Sequence, residues 1–256
     1  MMEAPLLDVA GLTRVYRGRG RGPGTRALND VTFAVARGEI LGVVGASGCG
    51  KSTLARIVAT LDRADAGRLS LAGTEYHALA ARALRPVRRQ VQMVFQDPYG
   101  SLDPRQRIGR IVAEPLGLIE PKLSTAERRQ RTVQALDLVG LGADALDRHP
   151  HAFSGGQRQR IAIARAIVTR PALVVADEAV SALDLSVQAQ ILNLFLDLQD
   201  AGTATLFISH DLAAVGAIAD RVAVMDHGRI VELGRTDEIL NAPTHPVTRA
   251  LMKARL

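Results

Sequence analysis

Residues 40–53 read Ile40-Leu41-Gly42-Val43-Val44-Gly45-Ala46-Ser47-Gly48-Cys49-Gly50-Lys51-Ser52-Thr53. An apolar run, Ile40 to Val44, runs into a G-x-x-x-x-G-K-S loop, and Lys51-Ser52-Thr53-Leu54 opens a helix. A buried strand that delivers the chain to such a turn aims several backbone N–H groups inward, and the helix N-terminus adds a partial positive charge. Lys51 can reach terminal phosphates and the Ser52 hydroxyl can ligate Mg²⁺. An ordinary glycine-rich strand–helix turn would not need Lys and Ser in register. The stretch therefore predicts a nucleoside triphosphate site, with Gly45, Ala46, Ser47, Gly48, Cys49, Gly50, Lys51, Ser52 and Thr53 as its cradle.

The 256 residues suffice for one large domain or two intimate ones with a substantial core. No segment approaches the uninterrupted apolar length that crosses a bilayer. Met1-Met2-Glu3-Ala4-Pro5 lacks the basic region and apolar run of a signal peptide. The one cysteine, Cys49, excludes an internal disulfide framework and suits a reducing compartment, so a soluble, cytoplasmic protein is expected. The formal net charge of +6 raises nucleic-acid binding as a possibility. However, Arg14, Arg17, Arg19, Arg21 and Arg26 cluster around Gly18, Gly20, Gly22 and Gly24, which reads as a solvated hairpin tip. Attraction to an anionic membrane surface explains the charge as well, and no nucleic-acid partner is expected.

Working outward, β-like runs at Leu7 to Tyr16 and Val31 to Val35 flank that Arg/Gly tip, and Leu69 to Leu71 forms another short strand. Val91 to Phe95, Leu173 to Ala176 and Ala204 to Ile208 are short, apolar and flanked by helical patterns, as buried parallel strands are. Val222 to Met225 and Ile230 to Leu233 flank Asp226-His227-Gly228 in a hairpin pattern. Between Gln96 and Ser154 no strand signal appears. Ile108, Ile111, Val112 and Leu116 mark one helix there. Ser124-Thr125-Ala126-Glu127 is a capping box opening a second, with Val133, Leu136 and Val139 inward and Gly140 at its end. The pattern predicts an α/β domain with a helical insertion.

Two further elements carry chemistry. Leu173-Val174-Val175-Ala176 ends in Asp177-Glu178. Open α/β sheets place ligands at the carboxyl ends of their strands. Beside a phosphate loop, Asp177 is placed to hold Mg²⁺ and Glu178 to polarise an attacking water. Ser154-Gly155-Gly156-Gln157 then opens a helix through Ile161 to Val168, making a second phosphate-binding N-terminus. One chain thus offers two phosphate sites for one nucleotide. A head-to-tail pair, in which each second site covers the partner's nucleotide, resolves this.

With these motifs the chain resembles, over essentially its whole length, the ATP-binding subunit of an ABC transporter. The resemblance implies a P-loop NTPase (RecA-like) core with an N-terminal antiparallel β subdomain and an inserted α-helical subdomain. The division expected is one domain, 1–256, with 1–96 and 166–256 as core and 97–165 as helical subdomain. The resemblance also implies that Ser154, Gly155, Gly156 and Gln157 contact ATP held by the opposite subunit. Gln96 matches the Q-loop glutamine near Mg²⁺ and the attacking water, His210 the switch histidine at the γ-phosphate, and Ser181-Ala182-Leu183-Asp184 the loop bridging the subunits. Tyr16 lies where the family stacks an aromatic on adenine. Cys49 is read as a small filler.

Gln96-Asp97-Pro98-Tyr99-Gly100-Ser101-Leu102-Asp103-Pro104-Arg105 is similar to the segment after the Q-loop in oligopeptide, dipeptide and nickel importer ATPases. Thr244-His245-Pro246-Val247-Thr248-Arg249-Ala250-Leu251 resembles a stretch of the same group, with Val247 where Tyr is usual. Ala179-Val180 replaces the frequent Pro-Thr. Ending at Leu256 without the longer Cys-containing tail of peptide members, the sequence leaves nickel or another small solute open. The expected partners are a second ATPase subunit, identical or not, two polytopic permeases and, through the complex, an extracytoplasmic solute-binding protein. The expected place is the cytoplasmic face of the cell membrane. The rival readings are a soluble ABC-type ATPase in a non-transport complex, a P-loop kinase or GTPase, and a binding-only module.

Overall fold

The structure is a computed structural model describing residues 4–17, 24–80, 82–96, 98–180 and 183–253. Ten strands and ten α-helices are described, in two sheets. The N-terminal sheet contains β1 (Leu7–Tyr16), β2 (Thr25–Val35), β4 (Ala66–Leu71) and β5 (Thr74–Glu75), antiparallel in the order β2-β1-β4-β5. The larger sheet has six strands, β3 (Ile40–Gly45), β6 (Val91–Val94), β7 (Leu173–Asp177), β8 (Ala204–Ile208), β9 (Arg221–Asp226) and β10 (Arg229–Arg235), ordered β10-β9-β3-β8-β7-β6. Its first five strands in chain order are mutually parallel, and β10 alone runs antiparallel, on β9.

The parallel arrangement follows from burial. Every residue of β3, β7 and β8 is buried, which requires layers on both faces. On one face Leu41, Val43, Val175, Leu206 and Met225 pack with α1 (Lys51–Val58) and the N-terminal sheet. On the other, Ile40, Val174, Ala176, Phe207 and Val224 pack against helices. Among these are α4 (Ile108–Ile119), α5 (Thr125–Leu138), α6 (Gly155–Ile167), α7 (Leu185–Asp200) and α8 (Leu212–Ile218). The remaining helices are α2 (Arg85–Gln90), α3 (Pro98–Ser101), α9 (Thr236–Asn241) and α10 (Pro246–Lys253). Ile108, Ile111, Val112 and Leu116 of α4 join Phe153, Ile161 and Ile163 in the sheet's own core cluster. The helical insertion is thus packed directly onto the six-stranded sheet.

Local sequence explains the boundaries. Ser124 and Glu127 form the reciprocal capping box at the start of α5, and Gly140, at φ 69°, lies just past its C-terminal end. The β9–β10 turn places His227 and Gly228 at φ 42° and 76°, the doubly left-handed turn that suits the twist of a hairpin.

Two expectations need correction. β2 begins at Thr25, not Val31, because register shifts against β1 carry Asn29-Asp30, with Asp30 at φ 61°, through an irregularity that hides the strand's alternation. The strand expected to run to Phe95 ends at Val94, and Phe95 leaves the sheet 42% exposed. Of the Arg/Gly tip, residues 18–23 lie outside the described residues.

Candidate nucleotide site

β3 enters the loop at Gly45 and α1 leaves it at Lys51. The loop is squeezed between two backbones. A Cβ on Gly45, at φ 155°, would lie 2.2 Å from the Met225 carbonyl oxygen, and one on Gly50, at φ 113°, 2.3 Å from that of Ala27. Gly48, at φ 77°, faces open space within 4 Å, so the cradle has room above it. The Gly228 N–H donates to the Cys49 carbonyl at 2.9 Å, and the Gly228 carbonyl accepts from the Asn29 N–H at 2.8 Å. The β9–β10 turn therefore clasps the loop, a role the sequence reading missed: a hairpin turn advertises itself locally, its tertiary partner does not.

Lys51 is 6% exposed, and its Nζ donates to the carbonyls of Gly45 at 2.7 Å and Ala46 at 3.0 Å. The ammonium is thus enclosed by the loop it would share with a phosphate. The α1 N-terminus has no side-chain cap and no acidic residue in its first turn, so its amide donors face the loop without an internal anion. Thr53 is half-buried in that turn, while Ala46 and Ser47 are exposed. Burial pushes the Cys49 thiol pKa up, with Lys51 opposing, which keeps it a neutral filler.

The sheet order lines up the remaining groups. Ser52 Oγ donates to Asp177 Oδ1, at the end of β7, at 3.2 Å. Glu178 follows with φ 49°, a left-handed conformation rare for a residue with a side chain, and its N–H donates to the Ile208 carbonyl at 2.9 Å. Glu178 Oε2 accepts from Gln96 Nε2 at 2.8 Å, and Oε1 lies 3.5 Å from His210 Nδ1. Gln96 follows β6 and His210 follows β8, so three neighbouring strands present Gln96, Asp177-Glu178 and His210 at their carboxyl ends.

The other expected residues lie apart from this row. Ser154 caps α6 in a closed box: its Oγ accepts from the Gln157 N–H at 3.3 Å and its N–H donates to Gln157 Oε1 at 3.0 Å. Gly155 and Gly156 form the first helical turn, where a Cβ on Gly156 would come 3.0 Å from Val187. Among the described residues, none of these four is hydrogen-bonded to the phosphate loop of the same chain. Asp184 caps α7, accepting from the Val187 N–H at 2.9 Å and the Ser186 hydroxyl at 2.7 Å, donors that hold its carboxyl below the usual range. Ser181 and Ala182 lie outside the described residues. The Tyr16 hydroxyl donates to Asp62 Oδ2 at 2.6 Å, and the Arg14 guanidinium sits 4.8 Å from its ring centroid.

Asp177 is 7% exposed. Burial raises its pKa; the Ser52 hydrogen bond opposes this, and the neighbouring Glu178 charge adds to it. A carboxyl raised in the folded state is costly there once ionised. That cost is absent below the unfolded value and fully present above the folded one. Asp177→Asn should therefore raise the melting temperature of nucleotide-free, chelator-treated protein at pH 7; a fall would contradict this electrostatic account. A hydroxyl and a carboxylate oxygen paired beside a phosphate cradle also form a hard-oxygen set that fits Mg²⁺.

Fold and site together define a P-loop nucleoside triphosphatase with an inserted helical region. Residues 28–181 match the protein family described as ABC transporter. The chain is 51% identical over 254 residues to the di/tripeptide transport ATP-binding protein DppF of Pseudomonas aeruginosa, covering 97% of this chain and 78% of that protein. It is 49% identical over 259 residues to the dipeptide transport ATP-binding protein DppF of Haemophilus influenzae, covering 98% and 78%. Among solved structures it is similar to the ATP-binding cassette MJ0796, a dimer in a post-hydrolysis state bound to ADP and Pi. The TM-score is 0.82 at 27% identity, over 90% of this chain and 98% of that one. It is also similar to cbiO1 of Clostridium perfringens, part of the ABC transporter complex cbiONQ, at TM-score 0.82 and 28% identity, over 94% and 92%. The chain belongs to the ABC transporter family, as an ATP-binding subunit. It binds nucleotide and is an ATPase, so the kinase, GTPase and binding-only readings fall away. No helix of the described residues is long and apolar enough to cross a membrane.

Proposed function

We propose that this chain energises an importer for short peptides or a related small solute, nickel included, from the cytoplasmic face of the cell membrane. The observation that carries the reading is the row Gln96, Asp177-Glu178 and His210 beside Lys51 and Ser52, with the Ser154 helix end unattached to it in the same chain. Lys51 exchanges its carbonyl partners for the terminal phosphates of ATP. Glu178, steadied by Gln96, takes a proton from the attacking water, and His210 meets the γ-phosphate. Ser52 and Asp177 would hold Mg²⁺, with Gln96 close by; when bound, it offsets charge on the phosphate oxygens. Tyr16 offers its ring to adenine, and the backbone of residues 45–53 wraps the phosphates.

In this reading Ser154, Gly155, Gly156 and Gln157 complete the nucleotide site of a second ATPase subunit, with Asp184 at the junction between the two. Residues 97–165 form the helical subdomain that moves toward the partner on closure, and the remainder of 1–256 forms the core. Two polytopic permeases and an extracytoplasmic receptor complete the complex, and the receptor and permeases select the solute. The peptide transport ATP-binding proteins above support the solute class. Affinity capture of the tagged chain from detergent-solubilised membranes of its own host tests the assignment. Two polytopic membrane proteins should copurify, and ATP-dependent peptide uptake should vanish on deletion. Recovery with soluble partners alone would favour the non-transport ATPase instead.

A further inference from the structure

The helix that presents Ser154 also holds the loop that carries Gln96. Gln159 of α6 is 2% exposed, and its Nε2 donates to the Phe95 carbonyl at 3.3 Å. Farther along the helix, Arg165 Nη1 donates to the Ser101 carbonyl at 2.8 Å, while its Nη2 bonds Glu114 Oε2 at 2.8 Å. The segment from Phe95 to Ser101 is thus fastened to α6 at both ends. Gln96 directly follows the first fastening, and its Nε2 reaches Glu178 Oε2 at 2.8 Å. The other end of the Gln159 amide is costly: Oε1 is buried without a hydrogen-bond partner among the described residues. For packing alone, an apolar side chain of similar length would serve better at this position, because it leaves no buried acceptor unmatched. What Gln159 adds is its donor to Phe95.

We propose that Gln159 is a positioning residue that sets Gln96 against Glu178 and makes that contact follow α6. The inference rests on the reading of Gln96 and Glu178 given above. Its consequence is coupling between two sites. The N-terminus of α6 meets the partner's nucleotide, while Gln159 in the same helix steers the chain's own Gln96, so occupancy of one site is felt at the other.

Steady-state turnover of the purified full chain with Mg·ATP tests this, using Gln159→Met and Gln159→Leu, alone and combined with Gln96→Ala. In either Gln159 variant kcat should fall about tenfold with KM for ATP within about twofold, as for a misplaced rather than missing catalytic group. The melting temperature should hold or rise, and hydrogen exchange across residues 95–101 should quicken. In the Gln96→Ala background the Gln159 change should cost nothing more, because it acts through Gln96. Wild-type kcat in both Gln159 variants, or a full additive loss in the double variant, overturns the inference alone. Wild-type kcat in Gln96→Ala instead sinks the underlying reading of Gln96.

Discussion

Glu178→Gln should turn over ATP about 1,000-fold more slowly than the wild type, the middle of the range for removing a general base. That corresponds to about 4 kcal/mol of transition-state stabilisation. The substitution keeps the side chain's shape and can keep the Gln96 contact through its carbonyl oxygen, which now stands where Oε2 accepts at 2.8 Å. It removes the ability to take a proton and puts an amide nitrogen in place of the oxygen 3.5 Å from His210 Nδ1. Because the left-handed backbone at Glu178, φ 49°, is unchanged, binding should survive. The purified variant should retain unhydrolysed ATP after a single-turnover incubation, measured by quenching and separating the bound nucleotide. Rapid phosphate release would remove Glu178 from the role of base and leave the Gln96–Glu178–His210 row without its central chemistry.

Lys51→Ala should weaken ATP binding about 10- to 100-fold, the loss expected when a hydrogen bond to a charged group disappears. Turnover should fall by about 100-fold or more, since the same ammonium faces the charge that develops on the γ-phosphoryl group. Part of the effect is structural. Lys51 Nζ bonds the Gly45 and Ala46 carbonyls at 2.7 and 3.0 Å, and both lose that bond in the variant, Ala46 keeping only the Cys49 N–H at 3.3 Å. A modest drop in melting temperature should accompany the loss. Lys51→Arg should not restore activity, because a planar guanidinium does not fit a site only 6% exposed. Equilibrium titration with a fluorescent ATP analogue and a coupled ATPase assay separate binding from turnover. Wild-type affinity in Lys51→Ala would show that the loop backbone alone holds the phosphates.

Much of the fold was legible because its signals are local. The Ile40 to Val44 run, the glycine spacing after it, the Ser124 and Ser154 helix starts and the β9–β10 turn all declare themselves within a few residues. The misses have physical causes. In β2, a positive φ at Asp30 and slipped register with β1 break the alternation that marks a strand. Phe95 is apolar yet leaves the sheet for the surface, which composition cannot reveal. Within the site, each residue of the row sits at the end of a strand, so its place followed from the strand pattern and the family resemblance. The contacts between them did not. Glu178's left-handed backbone, the Gly228 clasp on the phosphate loop, the Tyr16–Asp62 bond and the Gln159–Phe95 bond all join residues far apart in the chain. No periodicity encodes them.

In the proposed reading one nucleotide is held by two chains, the phosphate loop of one and the Ser154 helix end of the other. Light scattering coupled to size exclusion on Glu178→Gln with excess ATP, compared with the same variant also carrying Ser154→Arg, tests it most directly. The first should elute as a dimer with ATP bound, while the second should bind ATP through its intact loop yet stay monomeric. A Glu178→Gln monomer saturated with ATP, or a dimer that forms regardless of the Ser154 change, would contradict it.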